Sequence, residues 1–103
     1  MPEQTTSIKG FTYHKATPED IPLLHSLIRA LAEYEKRPQD ATLTEPDLNH
    51  WLFEDPLAEA LVARLEGKPA GYAVYYPVLS SFKGKPALYL EDLFILPELR
   101  GKG

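Results

Sequence analysis

Tyr89-Leu90-Glu91-Asp92-Leu93-Phe94-Ile95-Leu96-Pro97-Glu98-Leu99-Arg100-Gly101-Lys102-Gly103 is an apolar strand with two adjacent carboxylates, then a proline turn and a basic, glycine-bearing loop. A central strand buries such acids only at a cost on the order of several kcal/mol each unless they are partnered. The strand alone leaves two readings open: an end or bulge where both acids reach solvent, or a functional pair. In a regular strand Glu91 and Asp92 point to opposite faces. They act jointly only if a bulge re-aims one of them. The loop behind them offers backbone N–H groups to a phosphate, and does so well when a helix follows and adds its free amides. Read in isolation it is a flexible polar terminus.

Upstream of this stretch the hydrophobic period changes twice. Phe11-Thr12-Tyr13-His14-Lys15 reads as a first strand. Thr17-Pro18-Glu19-Asp20 supplies a capping residue, a proline at the first helical position and acids that complement the macrodipole. Ile21, Leu24, Ile28 and Leu31 then recur at helical spacing, widened by Leu23 and Leu27, which predicts a helix from Pro18 to about Glu35. A shorter helix opens at Thr44, with Asp47 completing a capping box and Leu43 and Leu48 forming a staple. Its expected buried face is Leu48, Trp51 and Leu52, and Asp55-Pro56 ends it. From Ala58 the period is that of strands: Ala60 to Leu65, a turn over Glu66-Gly67-Lys68-Pro69, Ala70 to Leu79, a loop from Ser80 to Pro86, and Ala87 to Leu96. Short connections make these strands antiparallel neighbours, so the fold class is α+β.

The chain has 103 residues, enough for one domain with a modest core. We divide it into a flexible N-terminus, 1–10, and a single domain portion, 11–103. A formal net charge of -4 argues against a nucleic-acid partner, which needs clustered Lys and Arg. There is no cysteine, which removes disulfides and thiolate chemistry and makes a zinc site improbable. His14, His25 and His50 lack metal-ligand spacing and read as structural, and the expectation is no metal. The first residues lack the apolar stretch of a signal peptide, and no apolar run is as long as a membrane span. The default expectation is a soluble, cytoplasmic protein without a membrane partner.

Taken together, the strand with Glu91-Asp92 and the loop Arg100-Gly101-Lys102-Gly103 resemble motif A of the GNAT superfamily of N-acetyltransferases, whose bulged strand leads to an Arg/Gln-x-x-Gly-x-Gly/Ala loop. Leu31-Ala32-Glu33-Tyr34-Glu35, Leu43-Thr44-Glu45, Gly71-Tyr72-Ala73-Val74-Tyr75-Tyr76 and Tyr89-Leu90-Glu91-Asp92 further resemble the spermidine/spermine (diamine) branch. The resemblance implies the N-terminal portion of a GNAT-like fold and acetyl transfer from acetyl-CoA to a primary amine of a small polyamine-like substrate. The alternatives are another amine (thialysine, an amino acid, a protein N-terminus) and a non-catalytic acetyl-CoA-binding or interaction module. By the same resemblance Glu91 is the base, acting through a water. Leu93, Phe94 and Ile95 pair with the pantetheine arm through their backbones, and Arg100, Gly101, Lys102 and Gly103 cradle the pyrophosphate. Tyr34, Glu35, Glu91 and Asp92 hold the amine. A homodimer is expected. The motif's last glycine or alanine, the following helix and the tyrosine that protonates the leaving thiolate are expected beyond Gly103. The chain by itself is therefore expected to bind acetyl-CoA poorly.

Overall fold

The computed structural model describes residues 4–5 and 10–97. Its sheet has five antiparallel strands in sequence order: β1 (Gln4–Thr5), β2 (Phe11–Lys15), β3 (Glu59–Leu65), β4 (Lys68–Ser80) and β5 (Lys85–Ile95). Between β2 and β3 lie α1 (Ile21–Tyr34) and α2 (Glu45–Asn49). The α+β reading holds, with helices packed on one face of an antiparallel sheet. The N-terminal segment, expected as a flexible lead-in, contributes Gln4–Thr5 as a short edge partner of β2.

The core forms where the apolar stripe of α1 meets the inner faces of the middle strands. Leu24, Val62 and Phe94 are almost wholly enclosed, and Ile21, Leu27, Leu48, Leu52, Ala60 and Tyr72 complete the cluster. Burial of each large apolar side chain stabilises the fold by about 1.5–3 kcal/mol. β4 and β5 approach each other tightly at Gly71. A β-carbon there would collide with the Phe94 carbonyl oxygen and lie 2.8 Å from Ile95 Cδ1. No side chain fits.

Three local devices set the ends of the elements. Pro18–Asp20 forms a single 3-10 turn that leads into α1, so the expected helix is entered through a tighter first turn. The buried Asp20 carboxylate accepts hydrogen bonds from the Thr17 N–H at 2.9 Å and the Thr17 hydroxyl at 3.3 Å. His14 Nε2 lies 3.0 Å from the same oxygen, and the Arg64 guanidinium is 3.7 Å from the other. This tie joins β2, β3 and the start of α1. At α2 the capping box is present as read: the Thr44 hydroxyl accepts from Asp47 N–H at 3.2 Å, and Asp47 accepts from Thr44 N–H at 2.8 Å.

Two features depart from the sequence reading. The second helix stops being α after Asn49, and His50–Glu54 continues as a π turn closed by Asp55 N–H to the His50 carbonyl at 2.7 Å. Its wider turn takes Trp51 off the expected buried face; Leu48 and Leu52 are buried while Trp51 stays 44 % exposed. The expected loop from Ser80 to Pro86 is only Ser81–Gly84, because β4 and β5 continue as a two-stranded ribbon past the end of β3. Pro77 sits in β4 beyond Tyr75, the last residue paired to β3, so its missing N–H breaks no β3 ladder bond.

Two measurements check this picture. Burial pushes the Asp20 carboxyl up, but the Thr17 N–H, His14 and Arg64 together outweigh it and hold it below its ordinary range. A carboxylate with a depressed folded-state pKa contributes its stability above its unfolded value, about 3.9, and loses it as pH falls through the folded value. Asp20→Asn is expected to cost about 1–3 kcal/mol at neutral pH, with the gap to wild type closing below about pH 4. A gap that stays constant in urea titrations down to acid pH contradicts the tie. Gly71→Ala is expected to cost about 1–3 kcal/mol or more through overpacking, and a variant of unchanged stability contradicts the close approach.

Candidate functional site

The β4–β5 ladder contains one residue too many on β5. Phe94 pairs with Tyr72, Leu93 with Ala73 and Asp92 with Val74, but Tyr75 pairs with Leu90, so Glu91 has no partner of its own. Two residues of β5 thus occupy the space of one. Such a bulge bends the strand and re-aims the side chains on either side of it. Here Glu91 and Asp92 line the same cavity, on the helix side of the sheet. The alternation of a regular strand is broken where a pair of acids needs it broken.

That cavity measures about 630 Å³. Leu43, Leu48 and Leu52 from the helical layer and Val74 from the sheet give it apolar walls, and Trp51 and Tyr76 give it aromatic ones. Tyr76 stacks on Tyr89 with ring centroids 5.2 Å apart, and burial together with the charge of Glu91 raises its phenol pKa. Asp47, the capping-box partner of Thr44 in α2, adds a third carboxylate to the lining. A concave, largely apolar space with a few convergent carboxylates suits a small amine with an aliphatic body.

Of the residues expected to hold an amine, Glu91 and Asp92 meet in this cavity, and Tyr34 and Glu35 do not line it. Both lie at the C-terminal end of α1 and are exposed. The Tyr34 ring rests 6.2 Å from that of Phe94, which in turn stands 6.3 Å from Tyr72. Glu35 is close enough to Tyr72 for its charge to act on the phenol. Of the residues expected to meet the cofactor, Leu93 is 65 % exposed, Ile95 is half-buried and the Phe94 side chain is core. A role for Phe94 in contacts with a ligand is therefore left to its backbone. β5 ends the strand order, so its outer edge has no strand beside it among the described residues. Arg100, Gly101, Lys102 and Gly103 lie outside the described residues.

The sequence reading missed Trp51, Tyr76 and Asp47 as cavity residues. Periodicity alone puts Trp51 on the buried face, and nothing in the spacing of Tyr72, Tyr75 and Tyr76 separates core from cavity wall. Tyr72 is core and Tyr76 is wall. The three histidines each have a local partner: His14 the Asp20 carboxylate, His25 the Leu43 carbonyl at 3.1 Å, His50 the Glu54 carboxylate at 3.1 Å. Among the described residues no group of three or more His, Cys, Asp or Glu is placed to hold a metal ion.

A family model described as the acetyltransferase (GNAT) family matches residues 24–103. The chain belongs to the GNAT acetyltransferase family. Its curated relatives include thialysine N-epsilon-acetyltransferase of Bos taurus, 40 % identical over 75 % of this chain and 50 % of that protein. The Caenorhabditis elegans protein of the same name is 31 % identical over 93 % of this chain and 59 % of its own length. The chain thus spans about half the length of the curated relatives it matches. Among solved structures, the GNAT fold is shared with a ribosomal-protein-alanine N-acetyltransferase from Brucella melitensis biovar Abortus 2308, with a TM-score of 0.71 at 22 % identity over 90 % of this chain and 62 % of that one. An aminoglycoside acetyltransferase from an uncultured soil metagenomic sample, in complex with sisomicin, gives 0.75 at 21 % identity over 91 % and 61 %. At these identities the likeness is one of fold.

The β5 bulge can be tested by deletion. Removing Glu91 leaves every other β4–β5 pair in step and is expected to cost under about 1 kcal/mol, whereas removing Ala73, paired to Leu61 and Leu93, throws two ladders out of register and is expected to cost more than about 3 kcal/mol. Equal losses in chemical denaturation contradict the assigned register.

Proposed function

We propose that this chain carries the acceptor-binding part of an N-acetyltransferase, which moves the acetyl group of acetyl-CoA to a primary amine of a small polyamine-like substrate. The observation that carries this reading is the bulge, which brings Glu91 and Asp92 into one apolar-walled cavity beside the last strand. A primary amine with a pKa of about 10.4 is a cation at neutral pH and must lose a proton before it can attack. Glu91 is exposed and lines the cavity, so it accepts that proton, directly or through one water. The amine nitrogen then bonds to the acyl carbon as the thioester C–S bond breaks; the sulfur leaves as the coenzyme A thiolate and takes up the proton that the acylated nitrogen sheds.

Acetyl-CoA supplies the activated acyl group in this scheme. The position of β5 at the end of the strand order and the exposure of Leu93 support backbone pairing of the segment Leu93-Phe94-Ile95 with an extended pantetheine arm. The bulge just upstream splays the strand, which favours an outward N–H as an electrostatic donor to the carbonyl under attack. The name of the relatives favours a second reading of the acceptor. They are called thialysine acetyltransferases, so an amino acid whose side chain ends in an amine belongs in the same cavity. In either case Asp92 and Glu91 supply negative charge to a cation within apolar walls.

Thiol release from acetyl-CoA by the full-length gene product, over a panel of polyamines, thialysine and other amines, tests this reading. Release with none of them overturns it. Glu91→Gln is expected to lower kcat by about a hundredfold or more around neutral pH, the scale of lost general-base catalysis. If the variant keeps its rate there, Glu91 is not the base.

A further inference from the structure

Tyr72 is the polar residue that the acetyl-transfer scheme leaves without a part. It sits on β4 directly opposite Phe94, is 2 % exposed, and belongs to the core cluster. Its hydroxyl donates to Asp92 Oδ2 at 3.1 Å, diagonally across the ladder. Among the described residues Oδ1 of the same carboxylate has no hydrogen-bond partner. A buried phenol needs an acceptor, but a backbone carbonyl would serve at lower cost than an ion. Here the acceptor is a half-buried carboxylate on the wall of the cavity.

The arrangement separates two neighbouring acids by how they are held. Asp92 is tethered from below by a buried side chain packed against the Phe94 ring. Glu91, one residue away, is the exposed surplus residue of the bulge. An acceptor with two cationic centres needs an anion fixed in place for one of them and a base that can approach the other. We propose that Tyr72 is a positioning residue for such an acceptor: its hydroxyl holds the Asp92 carboxylate against the cavity wall, where it grips the second cationic group while Glu91 serves the reacting amine. Burial raises the Tyr72 pKa, and the charge and hydrogen bond of Asp92 and the charge of Glu35 raise it further. The phenol therefore stays protonated, and stays a donor, throughout the pH range in which the amine reacts. The inference rests on the acetyl-transfer reading above and names the class of acceptor within it.

The test uses the full-length gene product with putrescine and with n-butylamine, its counterpart lacking the second amine. Wild type is expected to prefer putrescine in kcat/KM. Tyr72→Phe keeps the ring and is expected to raise the KM for putrescine and shrink the preference by about tenfold, the scale of one hydrogen bond to a charged group, with the KM for acetyl-CoA and the Tm retained. Asp92→Asn is expected to do the same, and Tyr72→Phe in that background to add nothing, because the two residues act as one unit. An unchanged preference in Tyr72→Phe overturns the positioning role. So does an equal loss for both amines accompanied by a lowered Tm, which marks a packing role only. Wild type without a preference for putrescine overturns the two-cation acceptor. Wild type inactive on both, and on the wider amine panel, overturns the acetyl-transfer reading itself and this inference with it.

Discussion

Between Val74 and Tyr75 the pairing of β4 with β5 slips by one residue, and the whole site takes its geometry from that slip. Below it, Asp92, Leu93 and Phe94 run in step with β4 and place Phe94 in the core. Above it, Leu90 and Tyr89 run in step again and place Tyr89 on Tyr76. The surplus residue absorbs the difference, so the strand serves the core at one end and the cavity at the other. Regular pairing would send one of the two acids to the far face. The cost of an irregular ladder is thereby exchanged for a pair of carboxylates on one wall, without either being driven into the core.

The remaining structure holds this strand at the right height. Gly71 lets β4 and β5 approach where Phe94 enters the core, and the packing of Leu24 and Val62 around it fixes the distance between sheet and helices. On the far side of the sheet's middle, Asp20 ties the entry of α1 to His14 on β2 and Arg64 on β3. That tie anchors the start of α1, while Tyr34 at its other end touches Phe94. Thus the same helix is pinned at one end by charge and at the other by aromatic contact.

Much of this was readable from residue types alone, where local chemistry decides the outcome. The strand Phe11–Lys15 and the capping box of Thr44 and Asp47 appear at the positions the sequence indicates. The two possible readings of Glu91-Asp92 included a bulge, although spacing could not say whether one forms. What escaped was decided by tertiary context. A π turn has no sequence period of its own, so Trp51 was placed in the core by a rule that assumes 3.6 residues per turn. The far end of the ribbon escaped because Pro86 reads as a loop residue; a proline is tolerated where the strand has one free flank, and the sequence does not announce which flank that is. The link from Tyr72 to Asp92 crosses 20 positions of chain and has no local signature.

The end of β3 has a consequence for how motion is distributed in the molecule. Tyr75 is the last residue of β4 paired on both sides, and the bulge lies at that same point. Past it, among the described residues, β4 and β5 pair only with each other, with Leu79, Phe82 and Leu88 largely in solvent. Two-stranded ribbons without a covered face open at low free energy, while doubly paired strands over a core open only with the whole domain. Glu91 and Asp92 therefore stand at a frontier between a segment that breathes and one that does not. Fluctuations of the ribbon reach Glu91 and stop at the tethered Asp92, which leaves the first free to adjust while the second keeps its place.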